Sequence, residues 1–313
     1  MKKFQKLVVL DKVKMTKEQE KEIKSLAKEV AIYNDTAKNK AEVIKRIGDA
    51  DAIITSWTDL DKKIFDACPN LKYLGIWATG YGWIDVKYAN EKCMTVTNVP
   101  GYATESVAEL VFGQLISLLR KTREADERVR QGKFEQEGLE GQELRGKTIG
   151  IIGFGRIGTR VAELAKAFGM NVIYFSRTRK PDCEKNGVKW CTLDELVKKA
   201  DIITLHASSG EELLSEKELD EMKDGAIVIN FGIAGAVNED ALIKRVKNGK
   251  LYAIMDHYVG HKIKPGFIEQ TSRTLLTPEI GFYTTQALSR LTQICIENAK
   301  SYLAGKVQNR VVS

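Results

Sequence analysis

Short apolar runs alternate along the chain with longer segments in which apolar residues recur every three or four positions. The runs KLVVL (6–10), ADAIITSW (50–57) and TIGII (148–152) are rich in β-branched residues, as buried strands are. The segments between such runs, for example VAELAKAF (161–168), place their apolar residues on one helical face. Strands that alternate with helices of this length predict an α/β fold built on doubly wound parallel sheets.

The alternation occurs in two blocks, which predicts two domains. The first block is complete by about residue 99, and the second begins near residue 148. Between them, residues 104–130 form one long helical pattern that is apolar nearly all round in its first half and charged in its second. We expect the first half to be buried between the lobes and the second half to lie on the surface or against another subunit. A last long helix is predicted over 284–304.

Three helix starts are marked by capping boxes, in which a Ser or Thr precedes a Glu or Gln by three positions. The side chains of such a pair satisfy backbone amides at the beginning of a helix. Each box therefore predicts that a helix starts at the next residue. The pairs are Thr16 with Gln19, Thr192 with Glu195, and Ser215 with Glu218.

A glycine motif lies where the second block begins. Gly153, Gly155 and Gly158 have G-x-G-x-x-G spacing between a predicted strand and a predicted amphipathic helix. In a dinucleotide site the first glycine makes a tight turn, the second lets the backbone approach a pyrophosphate, and the third lets helix and strand pack closely. The helix amides and dipole then attract the phosphates. Three glycines in a packing turn are the alternative, but the correct flanks favour nucleotide binding.

The predicted second strand of this domain, NVIYF (171–175), is followed by a turn that begins with SRTRK (176–180). An Asp or Glu there would bind the ribose diol of NAD(H), whereas basic residues accommodate the 2′-phosphate of NADP(H). No carboxylate is present; Arg177 and Arg179 can pair with a phosphate, and Ser176 and Thr178 can donate hydrogen bonds. A solvated basic turn is the alternative. Because the acid is also missing, the sequence favours NADP(H) over NAD(H).

Composition argues against several other classes of protein. The 313 residues carry a formal net charge of +7, but basic and acidic residues alternate, as in KTREADERVR (121–130), so no nucleic-acid surface is predicted. The five cysteines lack metal-ligand spacing, which indicates a reducing compartment and no structural metal. No signal peptide or membrane-length apolar run is present. We therefore expect a soluble cytoplasmic protein with a small-molecule substrate and no membrane or nucleic-acid partner.

Several stretches together carry a family resemblance, among them ATGYGWIDV, VTNVPGYATESVAELVFG, LRGKTIGIIGFGRIGTRVAELAKAFGMNV, ADIITLHA and TPEIG. The chain resembles the D-isomer-specific 2-hydroxyacid dehydrogenase family, which includes glycerate, D-lactate and hydroxypyruvate reductases, over nearly its whole length. The resemblance implies a Rossmann cofactor domain over residues 100–284 and a smaller flavodoxin-like substrate domain over 1–99 and 285–313. It also implies a cleft that closes on substrate and a homodimer built on the helix after Thr104.

The family's hydride transfer uses an Arg that holds the substrate carboxylate, a His that acts as acid/base and a Glu that keeps the His protonated. The matching positions here are Ile233, Glu279 and Val259, respectively. None of the three replacements is conservative, and Glu279 would repel an anionic substrate, so activity on 2-hydroxy acids is not carried over. What the resemblance carries over is cofactor binding, with the candidate residues Thr104, Gly153, Gly155, Arg156, Ile157, Gly158, Ser176, Arg177, Thr178, Arg179, His206, Asn230, Asp256 and Gly281.

Three functional hypotheses follow. The first is an NADP(H)-dependent oxidoreductase that reduces a carbonyl, imine or activated alkene of a neutral, aromatic or cationic substrate. Its candidate catalytic residues are Glu279, Tyr81 and His257, although a Glu at a strand end is more often a solvated carboxylate. The second is an inactive NADP(H)-binding pseudoenzyme with a regulatory or interaction role. The third is an ordinary hydroxyacid reductase that takes its acid and clamp from His257, Arg120 or Arg290.

Overall fold

The computed structural model describes residues 2–207 and 211–312. The chain divides into two units, which we call the first unit (Met1–Ala103 with Thr284–Ser313) and the second unit (Thr104–Tyr283). Each unit has its own parallel β-sheet. This confirms the predicted α/β fold class. The roles of the two units as substrate and cofactor domains, with boundaries at 99/100 and 284/285, stay predictions.

The first unit has a five-stranded sheet in the order β2-β1-β3-β4-β5, which is the order of flavodoxin-like folds. Every strand pair is parallel. The elements are β1 (Phe4–Val9), α1 (Lys17–Ser25), β2 (Ala27–Ile32), α2 (Lys40–Ile47), β3 (Ala52–Thr55), α3 (Lys62–Ala67), β4 (Tyr73–Ile76), α4 (Val86–Glu91), β5 (Thr95–Thr97) and, from the end of the chain, α13 (Thr285–Leu303).

Helix α13 joins the first unit because its buried face packs against β4 and α1. The indole Nε1 of Trp77, just after β4, donates a hydrogen bond to Thr292 Oγ1 (2.9 Å). The side chain of Gln19 on α1 donates to the Ser289 carbonyl (2.9 Å). These two hydrogen bonds satisfy the buried indole and amide donors where α13 packs against the rest of the first unit.

The second unit has a seven-stranded sheet in the order β12-β11-β10-β9-β6-β7-β8, again parallel throughout. This is the strand order of the doubly wound dinucleotide-binding fold, with β6 at its centre. The elements are α5 (Thr104–Leu119), α6 (Thr122–Arg130), β6 (Thr148–Ile152), α7 (Arg156–Ala167), β7 (Asn171–Phe175), α8 (Pro181–Glu184), β8 (Lys189–Trp190), α9 (Leu193–Lys199), β9 (Ile202–Leu205), α10 (Glu216–Asp220), β10 (Ala226–Asn230), α11 (Glu239–Lys247), β11 (Leu251–Met255), α12 (Pro265–Ile268) and β12 (Thr274–Leu276).

The predicted single helix over 104–130 is wrong, because it is two helices. The chain breaks between α5 and α6 at Lys121, which has a left-handed backbone (φ 51°). The Leu119 carbonyl, freed at the end of α5, accepts a hydrogen bond from Gln142 N (3.0 Å). One face of α5 packs on α7, where Phe112 stacks on Phe168 with ring centroids 5.0 Å apart. The helical periodicity of the sequence cannot show that a distant segment binds a carbonyl at the end of α5.

The three predicted capping boxes are confirmed, at the starts of α1, α9 and α10. Each depends only on residues three apart, which is why sequence alone located them. Helix α8 was not predicted and occupies part of what the sequence indicated as a turn after β7. Among the helices of the described ranges, none is long and apolar enough to cross a membrane.

Gly150, in the middle of β6, allows α9 to lie against the sheet. A Cβ at this position would lie 2.6 Å from Leu196 Cδ2 and 3.1 Å from the Ala200 Cβ. We therefore expect Gly150→Ala to lower the free energy of unfolding by about 1–3 kcal/mol through overpacking. Gly113→Ala is the matched control, since no atom lies within 4 Å of its Cβ position in α5. It should stabilise by about 0.5–1 kcal/mol. Calorimetric melting of both variants checks this. An unchanged melting temperature of Gly150→Ala would contradict the close contact with Leu196.

Candidate active site

The candidate residues of the second unit follow the carboxyl ends of its strands. Because these strands are parallel, their carboxyl ends share one edge of the sheet, which is the ligand-binding edge of such folds. Along this edge lie Gly153 after β6, Ser176 after β7, His206 after β9, Asn230 at the end of β10, Asp256 after β11 and Glu279 after β12.

The three motif glycines have different surroundings. Gly153 has a positive φ of 91°, and a Cβ there would lie 2.5 Å from Ala207 N. At Gly158 a Cβ would overlap the Gly153 carbonyl oxygen, so this glycine permits the close approach of α7 to the loop. At Gly155 no atom lies within 4 Å of the Cβ position. The first and third glycines are thus required by packing, and only the second adjoins open space.

The start of α7 fits the pyrophosphate of a dinucleotide. Gly155 is the N-cap and has no side chain to satisfy the first amides of this twelve-residue helix. Such amides and the helix dipole attract phosphate oxygens. Arg156, the first residue of α7, is exposed, and Ile157 is half-buried beside it. Their predicted contacts with a cofactor stay predictions.

The segment after β7 has less unpaired positive charge than the sequence predicts. Arg179 donates two hydrogen bonds of 2.7 Å, from Nε and Nη2, to the two carboxylate oxygens of Glu184. This pairing lowers the pKa of Glu184 below its ordinary value. The Ser176 hydroxyl donates to the Thr178 carbonyl (2.6 Å). Arg177 is exposed and, in the part of the chain that the structure describes, has no ion-pair partner. Of the two predicted arginines, only Arg177 therefore has an uncompensated charge.

His206, just after β9, has a neutral ring. Its Nε2 is hydrogen-bonded to Thr204 Oγ1 (2.9 Å), and its Nδ1 is buried without a partner among the described residues. Burial of the ring lowers the pKa of His206 to about 3. A buried nitrogen of this kind can accept or donate one further hydrogen bond to a ligand. Thr104, the first residue of α5, is half-buried.

Asn230 shapes the turn that follows β10. Its Oδ1 accepts a hydrogen bond from Gly232 N (3.2 Å), and its Nδ2 donates to the Ile233 carbonyl (3.2 Å). The Ile233 side chain packs against the hydrophobic core of the second unit. The position that matches the family's carboxylate-binding Arg is therefore part of an apolar contact.

Asp256 connects the end of β11 to the TPEIG loop (277–281). The residue is fully buried, and its carboxylate accepts hydrogen bonds from Thr277 Oγ1 (2.6 Å), Ile280 N (2.9 Å) and Gly281 N (2.9 Å). Its carbonyl accepts a further bond from Glu279 N (3.0 Å). The contacts give Asp256 and Gly281 a positioning role in this loop. Direct contact of either with a cofactor stays a prediction.

Glu279 lies within this loop in a left-handed backbone conformation (φ 55°). For a residue with a Cβ this conformation costs about 1–2 kcal/mol, and such strain persists only where the surroundings enforce it. The Glu279 carboxylate lies 2.9 Å from His261 Nδ1. Sequence reasoning proposed His257 instead. That ring lies 3.9 Å from the Asp256 carboxylate, and its buried Nδ1 has no hydrogen bond among the described residues.

The sequence shows a histidine on each side of Val259 in the DHYVGH turn (256–261), and both are candidates there to replace the family's catalytic groups. What sequence reasoning missed is that His261 is the one in contact with Glu279. Val259 itself is 52% exposed, and its amide donates to Glu239 Oε1 (3.0 Å).

Tyr81, the remaining catalytic candidate, belongs to the first unit. It lies in the loop between β4 and α4 and is 40% exposed. In the same unit, burial raises the pKa of Tyr102 to about 12, which makes its phenol a poor proton donor near neutral pH. Within the described residues, no three His, Cys, Asp or Glu side chains are grouped as metal ligands.

Comparison with known proteins identifies the family. Residues 112–281 match the family model "D-isomer specific 2-hydroxyacid dehydrogenase, NAD binding domain". The chain is 34% identical over 299 residues to a glyoxylate reductase of Thermococcus litoralis, covering 91% of this chain and 90% of that protein. The protein belongs to the D-isomer specific 2-hydroxyacid dehydrogenase family. It is also 32% identical over 295 residues to a hydroxypyruvate reductase of Blautia hydrogenotrophica, covering 90% and 92% of the two chains.

Solved structures of similar fold include two complexes. An acyclic imino acid reductase (Bsp5) in complex with NADPH and D-Arg is 33% identical, with a TM-score of 0.89 over 98% of this chain and 100% of that one. A D-lactate dehydrogenase of Aquifex aeolicus, complexed with NAD and lactic acid, is 27% identical, with a TM-score of 0.84 over 98% and 99%. As a member of this dehydrogenase family, the protein has a nicotinamide dinucleotide-binding domain.

The open space at Gly155 generates a test of the cofactor site. Gly155→Ala should weaken binding of the nicotinamide dinucleotide about tenfold or more, because the methyl group would occupy space that the pyrophosphate needs, while the melting temperature stays near wild type. Gly158→Ala should lower the melting temperature as well, since its methyl group overlaps the Gly153 carbonyl. Gly113→Ala in α5 is the control, because its Cβ position also adjoins open space but lies outside the glycine motif. Fluorescence titration with NADPH or NADH measures the affinity. An unchanged affinity of Gly155→Ala would contradict the position of the pyrophosphate beside Gly155.

Proposed function

We propose that this protein is an NADP(H)-dependent reductase of an imine or carbonyl compound, and that its substrate is cationic or neutral. Glu279 supplies the proton or binds a cationic group of the substrate. An activated alkene is the other electrophile compatible with the same groups. The observation that carries the proposal is the exchange of charge at the site: a carboxylate occupies the position of the family's acid/base His, and Ile233 occupies that of its Arg.

Electrostatics favour a cationic electrophile. A substrate carboxylate about 4 Å from Glu279 would be repelled by about 4 kcal/mol at an effective dielectric of about 20. A protonated imine would be attracted by a similar amount, and its positive charge also makes the carbon a better hydride acceptor. Because Ile233 packs on the core, its position offers no compensating cation.

Two kinds of relative bear on the substrate. The glyoxylate and hydroxypyruvate reductases would favour a 2-keto acid, in which case the clamp must come from elsewhere. Arg290 is one candidate for this carboxylate clamp; its Nε donates a hydrogen bond to the Tyr102 carbonyl (3.0 Å). The imino acid reductase, by contrast, was solved with NADPH and D-Arg, a ligand with a cationic side chain. That relative agrees with the proposal in its electrophile, an imine, and in the cationic side chain of its ligand. An imino acid also has a carboxylate, which in this proposal lies away from Glu279.

The chain's own residues have distinct tasks in this proposal. A bound nicotinamide supplies a hydride to the substrate carbon. The amides at the start of α7 hold the pyrophosphate, and Asn230 and Asp256 maintain the backbone turns beside the substrate. Glu279 holds the proton that the imine nitrogen or carbonyl oxygen receives.

The preference for NADP(H) is part of the proposal. Its support is the absence of a carboxylate at Ser176–Arg179, where NAD(H) would need one, and the uncompensated charge of Arg177. Arg179 contributes less, since its guanidinium is already paired with Glu184.

We also propose a cytoplasmic homodimer formed through α5 and the segment after α6. Leu110, Ile116 and Leu118 on α5 remain partly exposed in the single chain, and Phe134 is 88% exposed. Apolar surface of this kind marks interfaces between chains. The five cysteines, all free, suit a reducing compartment.

A substrate panel tests the function. NADPH oxidation should be faster with imines formed from amines and aldehydes or ketones than with glyoxylate or hydroxypyruvate alone. Glu279→Gln should lower the turnover of the best substrate by about 100-fold or more, because its amide cannot deliver a proton. The triple variant Ile233→Arg, Val259→Glu, Glu279→His should gain reduction of 2-keto acids.

The panel has two outcomes that contradict the proposal. Rapid turnover of glyoxylate by the wild type, undiminished in Glu279→Gln, would indicate an ordinary hydroxyacid reductase. No turnover of any substrate, together with micromolar NADPH binding, would indicate a pseudoenzyme. The single variant Val259→Glu is the control for the triple variant, since one restored residue should not restore the activity.

The cofactor preference has its own test. Arg177→Ala should weaken NADPH binding about tenfold, the loss of one charged hydrogen bond, and leave NADH binding unchanged. Arg179→Ala is the matched control and should have a smaller effect because Glu184 already compensates its charge. Titration of each variant with both cofactors measures this; tighter binding of NADH than NADPH by the wild type would overturn the preference.

A further inference from the structure

A contact between a histidine and a carboxylate joins the two loops that follow the last two strands of the second unit's sheet. His261 Nδ1, in the DHYVGH turn after β11, lies 2.9 Å from Glu279 Oε1 in the TPEIG loop after β12. These strands are parallel neighbours, so both loops leave the sheet at the same edge. We infer that Glu279 and His261 form a proton-delivery pair, in which Glu279 protonates the substrate and His261 replaces that proton. This inference rests on the proposed reductase function.

The two side chains differ in their access to water. The Glu279 side chain is 24% exposed, whereas that of His261 is 78% exposed. An imidazole exchanges protons with water near neutral pH and can pass them to a carboxylate with which it is in contact. His261 therefore lies at the solvent end of the pair and Glu279 at the more protected end. A proton can travel from bulk water to the substrate through these two groups.

The backbone of both loops is organised to bring the pair together. Glu279 and His261 both have left-handed backbone conformations, with φ of 55° and 54°. The TPEIG loop is fixed by the hydrogen bonds to Asp256. The turn is fixed by the buried Tyr258, whose hydroxyl donates to the Met255 carbonyl (2.8 Å).

A surface ion pair by itself contributes little to stability and does not explain a left-handed Glu. Histidine tolerates this conformation better than glutamate, so the informative residue is Glu279. Strained residues that their surroundings enforce are concentrated at functional sites. The strain thus marks the TPEIG loop as a functional one, and the 2.9 Å contact of Glu279 with His261 is the observation that joins the two side chains.

The proposed step balances for an imine. The nitrogen of the neutral imine first takes the proton of the Glu279 carboxyl group, which gives a protonated imine beside a carboxylate. The carbon then receives the hydride from NADPH as the C=N π bond breaks, and the product is an amine. The resulting carboxylate then accepts the proton of the His261 imidazolium. Water returns a proton to the neutral ring. For a carbonyl substrate the oxygen takes the same proton and the product is an alcohol.

His261 acts through Glu279, so it is a positioning and proton-supplying residue, and its test must separate this role from a structural one. His261→Ala should lower kcat about tenfold or more at nearly unchanged KM, and added imidazole should restore much of the loss. His261→Gln, which can hydrogen-bond to Glu279 but not carry its proton, should remain slow. Glu279→Ala should not respond to imidazole, and the double alanine variant should be no slower than Glu279→Ala alone.

A second readout needs no turnover. The nitrogen chemical shift of His261 Nδ1 should change in Glu279→Gln, because that ring loses its ionic partner. Lys262→Ala, an exposed neighbour in the same segment, is the control and should leave rate and ring signal unchanged. Full activity of His261→Ala in an active reductase would overturn the pair but leave the proposed function intact. A wild type inactive on the whole panel would overturn the function and the proton-delivery role together.

Discussion

The site depends on one buried carboxylate. Asp256 has no exposed surface, and removing such a group from water is costly unless hydrogen bonds replace its hydration. Here the compensation comes from Thr277, Ile280 and Gly281, all in the loop after the neighbouring strand. The requirement to satisfy Asp256 therefore fixes the loop that carries Glu279. Any residue at position 279 inherits a backbone set by those bonds rather than by its own preference.

The ligand-binding edge of the second unit has two halves with different chemistry. The half around β6 and β9 has the glycine turn, the open helix start of α7 and the neutral ring of His206, which together suit a dinucleotide. The half around β10, β11 and β12 has Ile233 packed on the core and a carboxylate paired with an exposed imidazole. The first half agrees with the dehydrogenase family in its motif, and the second departs from it.

In the proposed function, this departure changes the sign of the electrostatic field that a substrate would meet. A site that combines an Arg with a protonated His attracts anions, whereas a site with Glu279 and an apolar Ile233 does not. The imidazole of His261 partly offsets the charge of Glu279, but it lies at the exposed end of the pair. In this proposal the scaffold retains the strand order and cofactor motif while presenting a different charge to the reacting molecule. The proposed substrate class therefore depends on a few loop residues.

Local sequence was enough for features that depend on near neighbours. The strand–helix alternation, the glycine spacing and the capping boxes follow from residues a few positions apart, because steric fit and capping act over that range. The family's patterns also predicted Ile233 and Glu279 as positions of the catalytic site. Only the tertiary structure showed the helix break at Lys121 and the pairing of Arg179 with Glu184. The contact of Glu279 with His261 also emerged only there, because it joins loops brought together by parallel strands whose pairing no local pattern specifies.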